Sequence, residues 1–96
     1  MPSAYLVADI TVTNPEQYEE YKKWSTAAMQ KFGGQICVRG GRVEVLEGDW
    51  RPQRIVMIKF ADIDSARAMY NSPEYGKAID ARKGAAVSRI VIAEGD

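Results

Sequence analysis

The stretch Ala4-Tyr5-Leu6-Val7-Ala8-Asp9-Ile10-Thr11-Val12-Thr13-Asn14-Pro15-Glu16-Gln17-Tyr18 changes its hydrophobic period halfway along, and that change decides the fold. From Ala4 to Thr13 the apolar set Leu6, Ala8, Ile10 and Val12 alternates with Tyr5, Val7, Asp9 and Thr11, the two-residue period of a strand. One face is wholly apolar and faces the helices; the other is mixed. Asn14-Pro15-Glu16-Gln17 then opens a helix: Asn14 can cap, Pro15 suits the first helical position, and Gln17 can close a capping box. Tyr18, Tyr21, Trp24, Ala28 and Phe32 follow at steps of three to four residues and form one apolar stripe. Gly33-Gly34 ends the helix, because glycine tolerates a left-handed C-terminal cap.

Outward from this unit the pattern continues. Gln35 to Arg39 is a second strand, with Gly40-Gly41 either a tight turn or a bulge; the favoured reading is a bend, with the strand resuming over Arg42 to Glu47. Gly48-Asp49-Trp50-Arg51-Pro52 is a turn, and Gln53 to Phe60 a β-prone strand. Asp62 or Asp64 caps a second helix that carries Ile63, Ala66, Met69 and Tyr70 inward. Ser72-Pro73-Glu74 breaks that helix and restarts it through Tyr75, Ile79 and Arg82. Val87 to Ala93 is the last strand. The order β-α-β-β-α-β predicts an α+β, ferredoxin-like domain spanning residues 1–96, an antiparallel sheet with its helices on one face.

Composition narrows the function. The chain has 96 residues, 13 basic and 13 acidic, so no net field attracts nucleic acid or an anionic membrane. No apolar run approaches the roughly 20 residues of a membrane span, and the first residues lack a signal-peptide pattern. With a lone Cys37 the expectation is a cytoplasmic protein. Histidine is absent, which removes imidazole as base, metal ligand and haem ligand. The expectation is therefore no metal and no cofactor, with any catalysis left to carboxylate, Tyr, Lys, Arg or the one thiol.

Gly33-Gly34, Arg39-Gly40-Gly41, Glu47-Gly48-Asp49-Trp50, Arg54, Phe60, Ser72-Pro73-Glu74-Tyr75 and Arg82 come in the order and spacing of a widespread bacterial family. In these words, and in Tyr18 and Tyr21, the chain resembles small proteins named only as a domain of unknown function within the dimeric α/β-barrel superfamily. The resemblance implies a ferredoxin-like fold and a face-to-face homodimer, and it carries over no established reaction. Ile36 stands where that family usually has an aromatic, and Lys59 where it usually has Glu.

Strand parity nominates the site residues. If Leu6 and Ile10 face the helices, Asp9 faces away; the same rule leaves Cys37 and Arg39, and Met57 and Lys59, on that opposite side. Asp9, Arg39 and Lys59 would then share the face a dimeric barrel closes over. Arg39 suits a salt bridge with Asp9, a brace for the glycine bend, or contact with a ligand. Asp9, Arg39 and Tyr75 are the catalytic candidates; Arg39, Trp50, Lys59 and Arg82 are the ligand-binding candidates. Trp50 fits an anchor at the dimer interface or a lid. Tyr75 and Arg82, seven residues apart, share one face of a continuous helix. Cys37 is expected to be a small buried side chain. Two cations beside one acid suit a small anion, best an organic carboxylate. Three functions fit: a cofactor-independent small-molecule enzyme, a non-catalytic binding or sensor module, and a purely structural dimer.

Overall fold

The computed structural model describes residues 2–95. It runs β1 (Ala4–Val12), α1 (Pro15–Lys31), β2 (Gln35–Arg39), β3 (Arg54–Phe60), α2 (Ile63–Tyr70), α3 (Pro73–Arg82) and β4 (Ala86–Glu94). The four strands form one antiparallel sheet in the order β2-β3-β1-β4, a ferredoxin-like βαββαβ arrangement whose second crossover is split into two helices. No helix of the described residues is long and apolar enough to cross a membrane.

Alternation in β1 sets the layers. Ala4, Leu6, Ala8 and Ile10 are buried under the helices, whereas Tyr5, Val7, Asp9 and Thr11 point to the open side. The core adds Tyr18, Tyr21, Ala28 and Met29 from α1, Ile58 and Phe60 from β3, and Ala66, Met69, Tyr75 and Ala78 from α2 and α3.

The helix signals act through hydrogen bonds. The Asn14 side chain accepts from the Gln17 N–H, and Asp62, not Asp64, accepts from the Ser65 N–H. Gln17 closes no capping box: its amide donates to the Ala81 and Lys83 carbonyls at the end of α3. At the other end of α1, Gly33 has φ +75°, and the Gly33 and Gly34 N–H groups donate to the Gln30 and Met29 carbonyls. That pair of bonds is a Schellman cap, and it satisfies carbonyls the helix would otherwise leave open.

Three expectations for the middle of the chain are corrected. The strand does not resume after the glycines: Arg42 to Glu47 has no regular structure in the single chain. The bulge falls at Cys37, between the pairs Ile36–Ile58 and Val38–Met57, and not at Gly40-Gly41. Cys37 is consequently exposed, not buried. The extra residue reverses parity beyond it. Val38 now lies opposite Met57 on the open side, and Arg39 lies opposite Val56 on the helix side. Gly40 ends the strand at φ +69°, with its N–H bonded to the Ile55 carbonyl at 2.8 Å.

Candidate active site between the sheet and the helices

Tyrosine is an awkward residue for a buried stripe, because its hydroxyl must find a partner. α1 places two of them, Tyr18 and Tyr21, on its inner face, and α3 places Tyr75 opposite. Local chemistry positions the third. The Ser72 hydroxyl donates to the Met69 carbonyl at 2.7 Å and accepts from the Tyr75 N–H at 3.1 Å, so the helix break itself sets where Tyr75 begins its turn. The Tyr21 and Tyr75 hydroxyls meet at 2.8 Å in the core. Two helical turns later Arg82 donates to the Tyr75 oxygen at 3.2 Å, and its guanidinium lies 5.4 Å from the Tyr21 ring centre. The shared helix face expected for Tyr75 and Arg82 is thus realised.

The three tyrosines, but not Arg82, border a cavity of about 130 Å³ between the sheet and the helices. Leu6, Ala8, Ile10, Ile36, Val56 and Ile58 floor it from the sheet, and Met29 and Met69 close it from the helices. Lys22, Arg39 and Arg54 also line it, and no carboxylate does. Arg54 crosses beneath Gly40, where an added Cβ would sit 2.8 Å from its guanidinium carbon, so a side chain there would meet both a left-handed backbone and the Arg54 side chain. The Arg54 guanidinium lies 5.9 Å from the Tyr18 ring centre, and its buried Nε has no hydrogen-bond partner among the described residues.

Burial pushes the Tyr75 phenol far above its ordinary range, and the neighbouring Tyr21 raises it further against the opposing pull of Arg82. Burial likewise raises Tyr18, with Tyr21 adding and Arg54 and Arg82 opposing. Burial works against the Arg82 cation, but Tyr75 and Tyr21 more than offset it and hold its pKa above the usual arginine value. At neutral pH Tyr75 is therefore a neutral hydroxyl beside a fixed cation, a hydrogen-bond donor and not a base. Arg82 only donates, so it polarises Tyr75, whose bond to Tyr21 carries that polarisation to the cavity wall.

The other nominated residues lie elsewhere. Asp9 does not pair with Arg39: its Oδ2 accepts from the Trp50 indole N–H at 2.8 Å on the open face, and Arg39 is on the covered one. Trp50 lies over the open face of β1 and β4, where a shallow depression is lined by Val7, Asp9, Thr11, Val87, Arg89 and Val91. Lys59 is on that open face opposite Tyr5, four positions from Asp9 and hence about 13 Å away along the strand. The expected cluster of Asp9, Arg39 and Lys59 does not form. Arg39 and Tyr75 do come together, at one cavity. Tyr18, Tyr21, Lys22 and Arg54 were missed as site residues, although tyrosine in place of phenylalanine on a buried stripe was a signal. Among the described residues no group of three or more acidic or thiol side chains gathers to hold a metal ion.

The domain of unknown function DUF1330 matches residues 3–96. The chain belongs to the DUF1330 family. No functionally curated protein matches it. Solved structures share its fold at low identity. A protein of unknown function from Rhodopseudomonas palustris is 18% identical with a TM-score of 0.78, covering 99% of this chain and 83% of its own. SnoaB from Streptomyces nogalater, a cofactor-independent oxygenase, is 16% identical with a TM-score of 0.65 over 100% of this chain and 95% of its own. A dimeric ferredoxin-like protein of unknown function from Bacteroides fragilis is 10% identical with a TM-score of 0.64, covering 97% and 96%. At these identities the likeness is one of fold. Of the two residues singled out against the family resemblance, Ile36 lines the cavity and Lys59 does not.

Proposed function

We propose that this DUF1330 protein is a homodimer that binds a small organic carboxylate in the cavity between its sheet and helices. One observation carries the reading: three cations and no acid line a cavity whose other walls are aliphatic side chains, three tyrosines, Ser25 and Thr26. An apolar chamber with a few convergent polar groups is the usual form of a small-molecule site. Arg39 and Arg54 offer planar forks suited to a carboxylate, and the buried, unpartnered Arg54 Nε has a donor to give. The cavity lies well below the ~300 Å³ of common ligand pockets, which selects a short acid. Self-association is supported by the exposed valines of the open sheet face and by the dimeric neighbour of the same fold. The proposal keeps the anion preference expected from the sequence and moves it from the open face to the covered one.

A second reading, catalysis without a cofactor, draws on the Arg82–Tyr75–Tyr21 chain. A polarised phenol at a cavity wall suits an oxyanion that develops during reaction. The fold is shared with SnoaB, an oxygenase of that kind.

The test is thermal shift with short-chain carboxylates and their matched neutral amides, on the parent and on Arg54→Gln, Arg39→Gln and Lys59→Gln. Acids are expected to raise the melting temperature of the parent and of Lys59→Gln and to lose that effect in Arg54→Gln. Equal stabilisation by the amides, or an undiminished response in Arg54→Gln, rules the carboxylate site out. Loss of a stabilising acid during incubation, followed by mass spectrometry and abolished in Tyr21→Phe, separates enzyme from binding module.

A further inference from the structure

Beside the paired phenols, hydrogen-bond donors outnumber acceptors. The Tyr21 and Tyr75 hydroxyls carry one hydrogen each, and their 2.8 Å contact uses only one of them. Arg82 adds a further donor, to the Tyr75 oxygen at 3.2 Å. Neither hydroxyl has another partner among the described residues, so one phenol hydrogen is left without an acceptor. Arg82 decides which. A phenol whose oxygen accepts from a guanidinium becomes the better donor, so Tyr75 donates to Tyr21 and the spare hydrogen is on Tyr21. Tyr21 is buried and lines the cavity, so the acceptor within its reach is whatever occupies the cavity.

The cavity holds a second spare donor, the buried Arg54 Nε. Tyr18 adjoins both donor residues: its ring centre lies 5.9 Å from the Arg54 guanidinium and 5.1 Å from the Tyr21 ring centre. Two donors beside one aromatic ring suit a short molecule with two oxygen functions. They ask for different oxygens. A guanidinium matches a carboxylate, whereas a neutral phenol is completed by a neutral acceptor. A hydroxyl group would bring a hydrogen of its own, and the charged groups on the wall, Lys22, Arg39 and Arg54, only donate. A carbonyl oxygen accepts and brings none.

We infer that the bound carboxylate belongs to a short keto acid, with its carboxylate on Arg54 and its ketone oxygen on the Tyr21 hydroxyl. The inference rests on the carboxylate reading above and adds a second point of recognition to it. Tyr21 then discriminates by oxidation level. A keto acid pairs both donors, a plain acid of the same length leaves the phenol hydrogen unpaired, and a hydroxy acid strands its own. Arg82 does not border the cavity and acts through Tyr75, as a positioning residue.

Calorimetric titration tests it, on the parent, Tyr21→Phe, Arg82→Gln and Arg54→Gln. The probes are butyrate with its α-keto and α-hydroxy counterparts, and valerate with its γ-keto counterpart, levulinate. In at least one of the two series the parent is expected to bind the keto acid roughly tenfold more tightly than the plain acid. Tyr21→Phe is expected to erase that ratio while holding plain-acid affinity within about twofold. Arg54→Gln is expected to weaken keto and plain acids together and to keep the ratio. Tyr21 lies in the core, so Arg82→Gln supplies the same reading from outside the cavity: a ratio lowered roughly threefold, with plain-acid affinity unchanged. Equal binding of keto and plain acids by the parent, or a ratio unaltered in Tyr21→Phe or Arg82→Gln, overturns the keto assignment and leaves the carboxylate site standing. A preference for the hydroxy acid over the keto acid overturns it too. A parent that binds none of these acids overturns the carboxylate site itself, and this inference falls with it.

Discussion

On the covered side of the sheet Leu6, Ala8 and Ile10 are 3%, 3% and 2% exposed, whereas on the open side of the adjacent strand Val87 and Val91 remain 63% and 62% exposed. The strands are the same; what differs is what each side has been given to touch. The covered face receives three helices, four core tyrosine and methionine side chains from α1 and α2, and a cluster of arginines at the edge of the cavity. The open face receives one indole, held by Asp9 at 2.8 Å. Apolar residues on one face specify the fold, and equally apolar residues on the other are free to specify a partner. Side is decided by parity, and a single extra residue at Cys37 moves Arg39 from one of these regions to the other.

The contrast is broken most severely at Phe60, which is 1% exposed on the covered side. Phe60→Ala is expected to cost about 3–5 kcal/mol of unfolding free energy in urea, the usual range for emptying a core aromatic. Val91→Ala on the open side is expected to leave the isolated protomer's stability within about 0.5 kcal/mol and to act on association instead. Similar urea midpoints for the two variants at a concentration where the parent is monomeric would erase the distinction between the faces.

Smaller, and confined to the backbone, is the effect at the end of α1. Gly33 sits at φ +75°, where a β-branched residue is strained though nothing blocks a Cβ in space. Gly33→Val is expected to cost about 1–2 kcal/mol, while the exposed Cys37→Ala changes stability by a few tenths. Equal midpoints would contradict the cap.

The smallest effect is one of pH and belongs to the covered face alone. Tyr75 is held protonated in the folded protein far above the value near 10 of the unfolded chain, first by burial and then by Tyr21. Above pH 10 the unfolded state releases this proton and the folded state keeps it, so stability is full below about pH 10 and declines as pH rises beyond it. Tyr18 is shifted in the same direction. Unfolding free energy is expected to fall with a shallower alkaline slope in Tyr75→Phe than in the parent; identical slopes would show that the phenol is not the group responsible.

How far these regions were legible varies with the range of the forces involved. Caps and periods are local, and Asn14, Asp62, Ser72, Gly33 and the alternation of β1 all act where their chemistry indicates. The break before Tyr75 was legible too, and with it the face shared with Arg82. The placement of Arg39 was not, because the bulge at Cys37 depends on how β2 meets β3, a pairing between distant residues that β2's own alternation does not encode. For the same reason Asp9 was assigned an ionic partner when its neighbour is the Trp50 indole, forty-one residues away. The strand expected over Arg42 to Glu47 has the right local pattern and no mate within its own chain.

The amide of Gln17 reaches from the first turn of α1 to the Ala81 and Lys83 carbonyls, and the Thr13 and Asn14 N–H groups both donate to the Ala85 carbonyl. The entry to one crossover is thereby tied to the exit from the other, two places more than sixty residues apart in the chain. A fluctuation that unwinds the end of α3 must also release the start of α1, so amides at these two ends should report a single opening event with one common free energy. Mechanically the domain has a clasp, and it lies at the end of α1 from which the Tyr21–Tyr75 contact is approached. Loosening it would let both walls of the cavity part together instead of one at a time.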